Sequence, residues 1–162
     1  MLELGTILKN EPAAKDIYEM VLQVPGIAKK SKPGQFVNLR LSHKLDPLLR
    51  RPISLHGIDP EKGTISMLYL VVGEGTSMMK DMEAGEIIDV LGPLGNGWNC
   101  EFEGSHAVLI GGGIGIAPLY PLAETLIKNG KDVELIVGAK NEAYLTCLLY
   151  TSPSPRDRTR SR

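Results

Sequence analysis

The segment Leu48-Leu49-Arg50-Arg51-Pro52-Ile53-Ser54-Leu55 sets two guanidinium groups, a proline and a hydroxyl inside an apolar run. A guanidinium can grip a phosphate with two parallel N–H donors, a geometry that lysine lacks. Pro52 fixes its own φ and biases Arg51 towards extended backbone, so the charge is presented from a stiff segment. Ser54 follows at strand spacing from Pro52, with a hydroxyl that donates or accepts. Taken alone, the stretch reads first as an edge strand with a surface arginine pair. A second segment changes the balance. In Gly73-Glu74-Gly75-Thr76-Ser77, Thr76 or Ser77 is expected to cap a helix running through Met82. The free N–H groups of its first turn carry partial positive charge and can hold an anion. A plain capped helix would explain this segment by itself, but beside Arg51 it makes a second phosphate-binding device. A pyrophosphate would satisfy both.

The third candidate is Gly111-Gly112-Gly113-Ile114-Gly115-Ile116-Ala117-Pro118, directly after the apolar Ala107–Ile110. Its G-G-G-x-G-x-x-P spacing departs from G-x-G-x-x-G, because the sixth position is Ile116. Leu119, Leu122, Ala123 and Leu126 then recur at helical spacing up to Gly130, and Val133–Gly138 is a second apolar strand. Strand, glycine loop, helix, strand is the opening of a parallel nucleotide-binding sheet, and in that setting the loop points to a dinucleotide. A fourth loop, Leu91-Gly92-Pro93-Leu94-Gly95-Asn96-Gly97-Trp98, is either an interdomain turn or a close approach to a flat ligand, and the two are compatible.

The elements that must carry these loops change period along the chain. Leu2–Leu8 and Ile17–Val24 are β-compatible and separated by the turn signal Asn10-Glu11-Pro12. Residues 36–41, 64–72 and 86–91 are further short strands with turns between them. This spacing favours an antiparallel barrel or sandwich, followed by an α/β segment. The expected fold is mainly β plus α/β. Its expected divisions are a β-barrel over residues 1–99, the start of a parallel α/β domain over 104–145, and a tail over 146–162.

Composition narrows the function classes. The chain has 162 residues, 43% of them hydrophobic, enough for a real core, and no apolar run of membrane-spanning length. There is no basic-then-apolar leader at Met1. The first 150 residues carry 14 basic and 18 acidic groups, which argues against nucleic-acid binding by the folded part. Cys100 and Cys147 lie far apart, form no metal or redox spacing, and fit a reduced, cytoplasmic setting as ordinary thiols. His43, His56 and His106 show no ligand spacing and are expected on the surface or in loops. Met67, Met78, Met79 and Met82 are expected to pack, and Trp98 to sit near the domain junction.

Taken in order, Pro47–Ser54, Gly73–Thr76, Asp89–Gly97 and Gly111–Pro118 resemble the ferredoxin reductase-like flavoproteins. Within them the similarity is strongest to the electron transfer subunits of NAD-dependent (type B) dihydroorotate dehydrogenases. It covers about residues 1–145. The resemblance implies an FAD-binding β-barrel followed by an NAD-binding α/β domain. It places FAD on Arg51, Pro52, Ile53 and Ser54, on Leu68, Tyr69 and Leu70, and on Gly75 and Thr76. NAD(H) falls to Gly111, Gly112, Gly113 and Gly115. Arg51 would neutralise the pyrophosphate and Ser54 would lie near the isoalloxazine. Hydride passes from NADH to the flavin, so no catalytic acid, base or metal ligand is assigned. The resemblance further implies a 2Fe-2S cluster and an FMN-containing catalytic subunit in a heterotetramer that oxidises dihydroorotate to orotate in pyrimidine biosynthesis, with no nucleic acid and no membrane among its partners.

Two departures stand out. Leu70 replaces an arginine usual in the family, which removes an expected phosphate contact. The four thiolates that a cluster needs are absent from this sequence. From about Thr146 the chain becomes rich in Ser, Pro and Arg. This tail resembles a translated adapter sequence on a truncated record more than a native basic arm. Residues 139–142 give no clean ribose or 2′-phosphate signal, so NADH and NADPH are not distinguished. Three readings stay open: the dihydroorotate dehydrogenase subunit, another flavin or ferredoxin reductase subunit of the superfamily, and a flavin-binding fragment without turnover.

Overall fold

The computed structural model describes residues 1–41 and 49–139. Pro47-Leu48 of the arginine motif, His43, Lys140–Glu142, Cys147 and the tail lie outside the described residues. The first strand, β1 (Leu2–Ala14), forms a hairpin with β2 (Ile17–Gln23). The expected turn at Asn10-Glu11-Pro12 is not there. The strand runs on through Pro12 and reverses at Lys15-Asp16, where Asp16 takes a positive φ of 58°. Beyond Thr6, β1 loses its pairing with β7 (Ile87–Leu94), so this half of the strand is paired on the β2 side only and tolerates a proline. A single-turn helix α1 (Pro25–Ala28) follows, and the Glu3 carboxylate accepts hydrogen bonds from the N–H groups of Gly26 and Ile27 at 3.0 and 2.8 Å.

The remaining antiparallel strands are β3 (Phe36–Arg40), β4 (Arg51–Ser54), β5 (Gly57–Asp59) and β6 (Thr64–Leu70). With β7 they make one seven-stranded sheet in the order β4-β3-β7-β1-β2-β6-β5. Its two edge strands are consecutive in sequence and separated by Leu55-His56 alone. The sheet therefore wraps round until its edges meet, and the His56 N–H donates to the Ser66 carbonyl of β6 at 2.8 Å. The interior follows the two-residue period of the strands: Met20 and Leu22, Val37 and Leu39, Ile65 and Met67, and Ile88 and Val90 are all buried. Between β6 and β7 lies helix α2 (Glu74–Lys80), whose Met79 plugs the barrel.

The period then changes as expected. Parallel strands β8 (His106–Gly112) and β9 (Asp132–Gly138) flank helix α3 (Leu119–Lys128), with a 3-10 turn over Gly113–Ile116 inserted before the helix. Leu122 and Leu126 of α3 are buried, and Gly130 ends the helix with a φ of 76°. Val108 and Ile110 of β8 keep 48% and 73% of their surface exposed, because α3 covers one face of this pair and no described element covers the other. The architecture is thus an antiparallel barrel joined to a small parallel α/β unit.

Candidate functional site

The two arginines of the opening motif have separate roles in the fold. Arg50 turns inward and pairs bidentately with Asp89 of β7, at 3.0 and 2.9 Å, and also donates to the Asp89 carbonyl at 3.2 Å. It thereby reaches past β3 and staples β4 to the barrel. Arg51 points the other way. Its Nη1 donates to the Leu49 carbonyl at 2.8 Å, and no carboxylate among the described residues pairs with it. Pro52 pairs with Asn38 on the sheet's free edge, where its missing N–H breaks no inner ladder.

Arg51 lies against the start of α2. A Cβ added at Gly75 would meet the guanidinium, with Cζ at 2.7 Å. The sequence expectation for this helix needs one correction: Gly73, rather than Thr76 or Ser77, is the N-cap, and the helix ends at Lys80 instead of Met82. Gly73 has no side chain to cap with, so Thr76 caps from within the first turn. Its hydroxyl accepts from the N–H groups of Val72 and Gly73 at 3.0 and 3.2 Å. The Ser77 N–H makes the first intrahelical bond, to Gly73, which leaves the N–H groups of Glu74, Gly75 and Thr76 without a helical acceptor. A guanidinium without a carboxylate partner, a glycine that gives it room and orphan amides meet at one place. An anionic diphosphate group fits this chemistry.

The middle segment behaves differently. Leu68 and Tyr69 are buried, and Tyr69 sends its hydroxyl to the Asn10 Oδ1 at 2.8 Å. Burial raises the Tyr69 phenol well above its ordinary value, so it stays protonated. Asn10 in turn donates to the carbonyls of Met79 and Met82 at 2.7 and 2.8 Å, closing the C-terminal end of α2. The side chain read from sequence as a turn residue is therefore the clip that fixes this helix. Leu68 and Leu70 pack with Ile17, Ile114 and Ala117, which brings β6 alongside the glycine loop. An apolar residue at 70 belongs to that contact.

The loop Gly111–Gly115 divides by cause. Gly113 takes a φ of 53°, which turns the chain off the strand, and a Cβ at Gly111 would come within 2.9 Å of Leu119. Gly112 and Gly115 have neither reason. A Cβ at Gly115 would meet nothing within 4 Å, and at Gly112 the nearest atom is the Gly138 carbonyl at 3.8 Å. Bare backbone facing open space is what a dinucleotide needs for close approach. Pro118 is the N-cap of α3, directly before its first turn.

His56 sits in the short link between β4 and β5, a loop position as expected, but it is buried. It is 5% exposed, not a surface group: its Nδ1 lies 3.0 Å from the Ala117 carbonyl and its ring is 5.1 Å from that of Tyr120. Burial lowers its pKa from the ordinary value, partly offset by the carbonyl contact and by Glu19 and Glu124. His106 remains exposed, with Nδ1 3.2 Å from Asp132. Trp98 is half exposed over Gly34, in the loop before β3. Met67 and Met79 are fully buried, as expected. Burial, with the Glu101 carboxylate beside it, pushes the Cys100 thiol up, which favours the protonated form. No cluster of metal-ligating side chains occurs among the described residues. Two open clefts of about 660 and 640 Å³ lie elsewhere, one beside Phe102 and Lys131 and one between the β5–β6 turn and α3.

No family model matches the chain. Among solved structures, the NADH-dependent reduced ferredoxin-NADP oxidoreductase of flavin-based electron bifurcation superposes with a TM-score of 0.79 at 35% identity, over 88% of this chain and 51% of that one. Phthalate dioxygenase reductase, described as a modular structure for electron transfer from pyridine nucleotides to a 2Fe-2S centre, superposes with a TM-score of 0.75 over 94% of this chain and 48% of that one; at 21% identity the likeness is one of fold. The barrel and its attached glycine loop thus define a ferredoxin reductase-like architecture. The electron transfer subunit of dihydroorotate dehydrogenase B (NAD(+)) from Geobacillus sp. (strain WCH70) is 43% identical over 138 residues, 84% of this chain and 54% of that protein. Its counterpart in Bacillus cereus (strain G9842) is 44% identical over 134 residues, 82% of this chain and 52% of that protein. The chain is similar to the ferredoxin reductase-like flavoproteins in sequence and fold, and it spans about half the length of these curated relatives.

Proposed function

We propose that this chain is the flavin-binding and nucleotide-docking part of a dihydroorotate dehydrogenase B electron transfer subunit. In this reading Arg51 and the amides of Gly75 and Thr76 hold the FAD pyrophosphate. Pro52, Ile53 and Ser54 present the strand edge to the flavin, and β6 at Leu68, Tyr69 and Leu70 forms the floor beside it. Gly111, Gly112, Gly113 and Gly115 receive NAD(H). FAD, when bound, supplies the exchange between two-electron and one-electron chemistry. The residues of this chain bind, orient and exclude water; none is asked to move a proton. The division into a barrel of residues 1–99 and a nucleotide domain from residue 104 belongs to this proposal, as do a cytoplasmic setting and an FMN-containing catalytic partner in a heterotetramer. The relatives' designation as a subunit supports a partner in general terms. The 2Fe-2S cluster that the resemblance implies has no place on this chain in this reading, since two cysteines cannot supply its four thiolates.

The observation that carries the reading is the meeting of Arg51 with Gly75 at a helix start whose amides are free. The second reading, a ferredoxin-NADP oxidoreductase subunit, draws on the structural neighbour at 35% identity; the 43% identity to the dehydrogenase subunits favours the first. The test is to titrate the purified chain with FAD and then add NADH without oxygen. A bound-flavin absorbance that bleaches with NADH is expected. Failure to take up FAD would end both readings, and uptake without bleaching would leave a flavin-binding module alone.

A further inference from the structure

The contact between barrel and glycine loop has an unusual chemical basis. The Ala117 carbonyl precedes α3, and the residue four positions on, which would normally donate to it, is Pro121. Proline has no N–H to give. Ala117 is buried, so its carbonyl needs another donor, and the His56 Nδ1 at 3.0 Å is placed to supply one. Accepting that bond fixes the tautomer: Nδ1 carries the proton. The ring is held in turn against Tyr120 of α3 at 5.1 Å, while the His56 backbone N–H is spent on Ser66 of the barrel. Nearby, the junction opens into a cleft between the β5–β6 turn and Glu124 and Lys128 of α3.

His56 lies five positions after Arg51 on one continuous edge segment. We propose that His56 is the positioning residue that sets the spacing of the two cofactor sites, by holding the Ala117 carbonyl, and with it the loop Gly111–Gly115, against the segment that carries Arg51–Ser54. Hydride transfer tolerates little error in donor–acceptor distance, so a latch at this point governs the rate rather than the binding of either cofactor. The inference rests on the functional reading above.

Three forms of the full chain test it: wild type, His56→Phe, which keeps a ring against Tyr120 but removes the donor, and His56→Asn, whose amide N–H can replace it. Each is assayed for FAD uptake, for the rate of anaerobic flavin bleaching against NADH concentration, and for amide hydrogen exchange over residues 111–119. The Phe variant should bind FAD as wild type does. Its limiting bleaching rate should fall about tenfold or more with a smaller change in the half-saturating NADH concentration. Its amides over residues 113–119 should exchange about tenfold faster, and the Asn variant should recover most of both losses. Wild-type exchange and rate in the Phe variant, or an Asn variant no better than Phe, would overturn the latch. A wild-type chain that takes up no FAD defeats the functional reading instead, and the exchange comparison then decides the latch by itself.

Discussion

At the residue scale, Arg51 and Gly75 form a pair whose two members make opposite demands on stability and function. Among the described residues the Arg51 side chain makes one hydrogen bond, to Leu49, so Arg51→Ala should leave the melting temperature nearly unchanged. Loss of charge-assisted bonds to a pyrophosphate is worth about 1.5–3 kcal/mol, or roughly 10–100-fold in FAD affinity. Gly75→Ala sharpens the test. The added Cβ would displace the flexible guanidinium, while alanine in a helix is favoured over glycine by about 1 kcal/mol. The expected result is an equal or higher melting temperature together with weaker flavin binding. Parallel loss of both would show that the helix, and not the clamp, had been damaged. Arg51 and Thr76 each have a contact within their own stretch, the guanidinium with Leu49 and the hydroxyl with Val72 and Gly73, and residue type and spacing mark such groups in a sequence. Asn10 and His56 are not marked in this way: their partners lie 69 and 61 residues away, and nothing local separates a turn asparagine from a helix clip.

At the element scale, helix α2 is held at both ends by single side chains. Thr76 secures its start, and Asn10 its end, with Tyr69 behind Asn10. Asn10→Ala should cost about 1–3 kcal/mol in thermal or urea unfolding, because it leaves the carbonyls of Met79 and Met82 unpaired. Tyr69→Phe should cost about 1 kcal/mol alone and nearly nothing in the Asn10→Ala background, since the two act as one network. Additive losses in that double-mutant cycle would refute the network. The Arg50–Asp89 pair makes a similar point for β4. Both side chains are largely buried, so Asp89→Ala strands a charge and should destabilise by about 3 kcal/mol. Calorimetry that found less than about 0.5 kcal/mol would class the pair with ordinary surface bridges. Most strands could be read from alternation and turn residues. The continuation of β1 through Pro12 could not, because it depends on which side of the strand lacks a partner, a tertiary fact.

At the scale of the whole molecule, two bodies of unequal strength are joined by a small seam. The barrel owns a continuous core, whereas the α/β unit meets it through Ile17, Leu68 and Ala117 and the His56 contact. Amides of β2 and β6 should therefore exchange slowest, and those of β8 and β9 appreciably faster, under native conditions. The seam should also respond to pH, with a definite sign. Burial holds the His56 imidazole below its ordinary 6.5, against the pull of Glu19 on β2 and Glu124 on α3, with the Tyr120 ring packed beside it. The docked state favours neutral His56, while an undocked His56 titrates at its ordinary value. Docking is thus at full strength above pH 6.5 and weakens as pH falls below it. Exchange over residues 111–119 should accelerate between pH 7 and 5.5, once corrected for the intrinsic pH dependence of amide exchange, while β2 and β6 stay protected. His56→Asn should abolish that acceleration, since it keeps a donor but cannot take up a proton. An identical acceleration in the Asn variant would assign the pH response to the carboxylates around the seam and remove His56 from it.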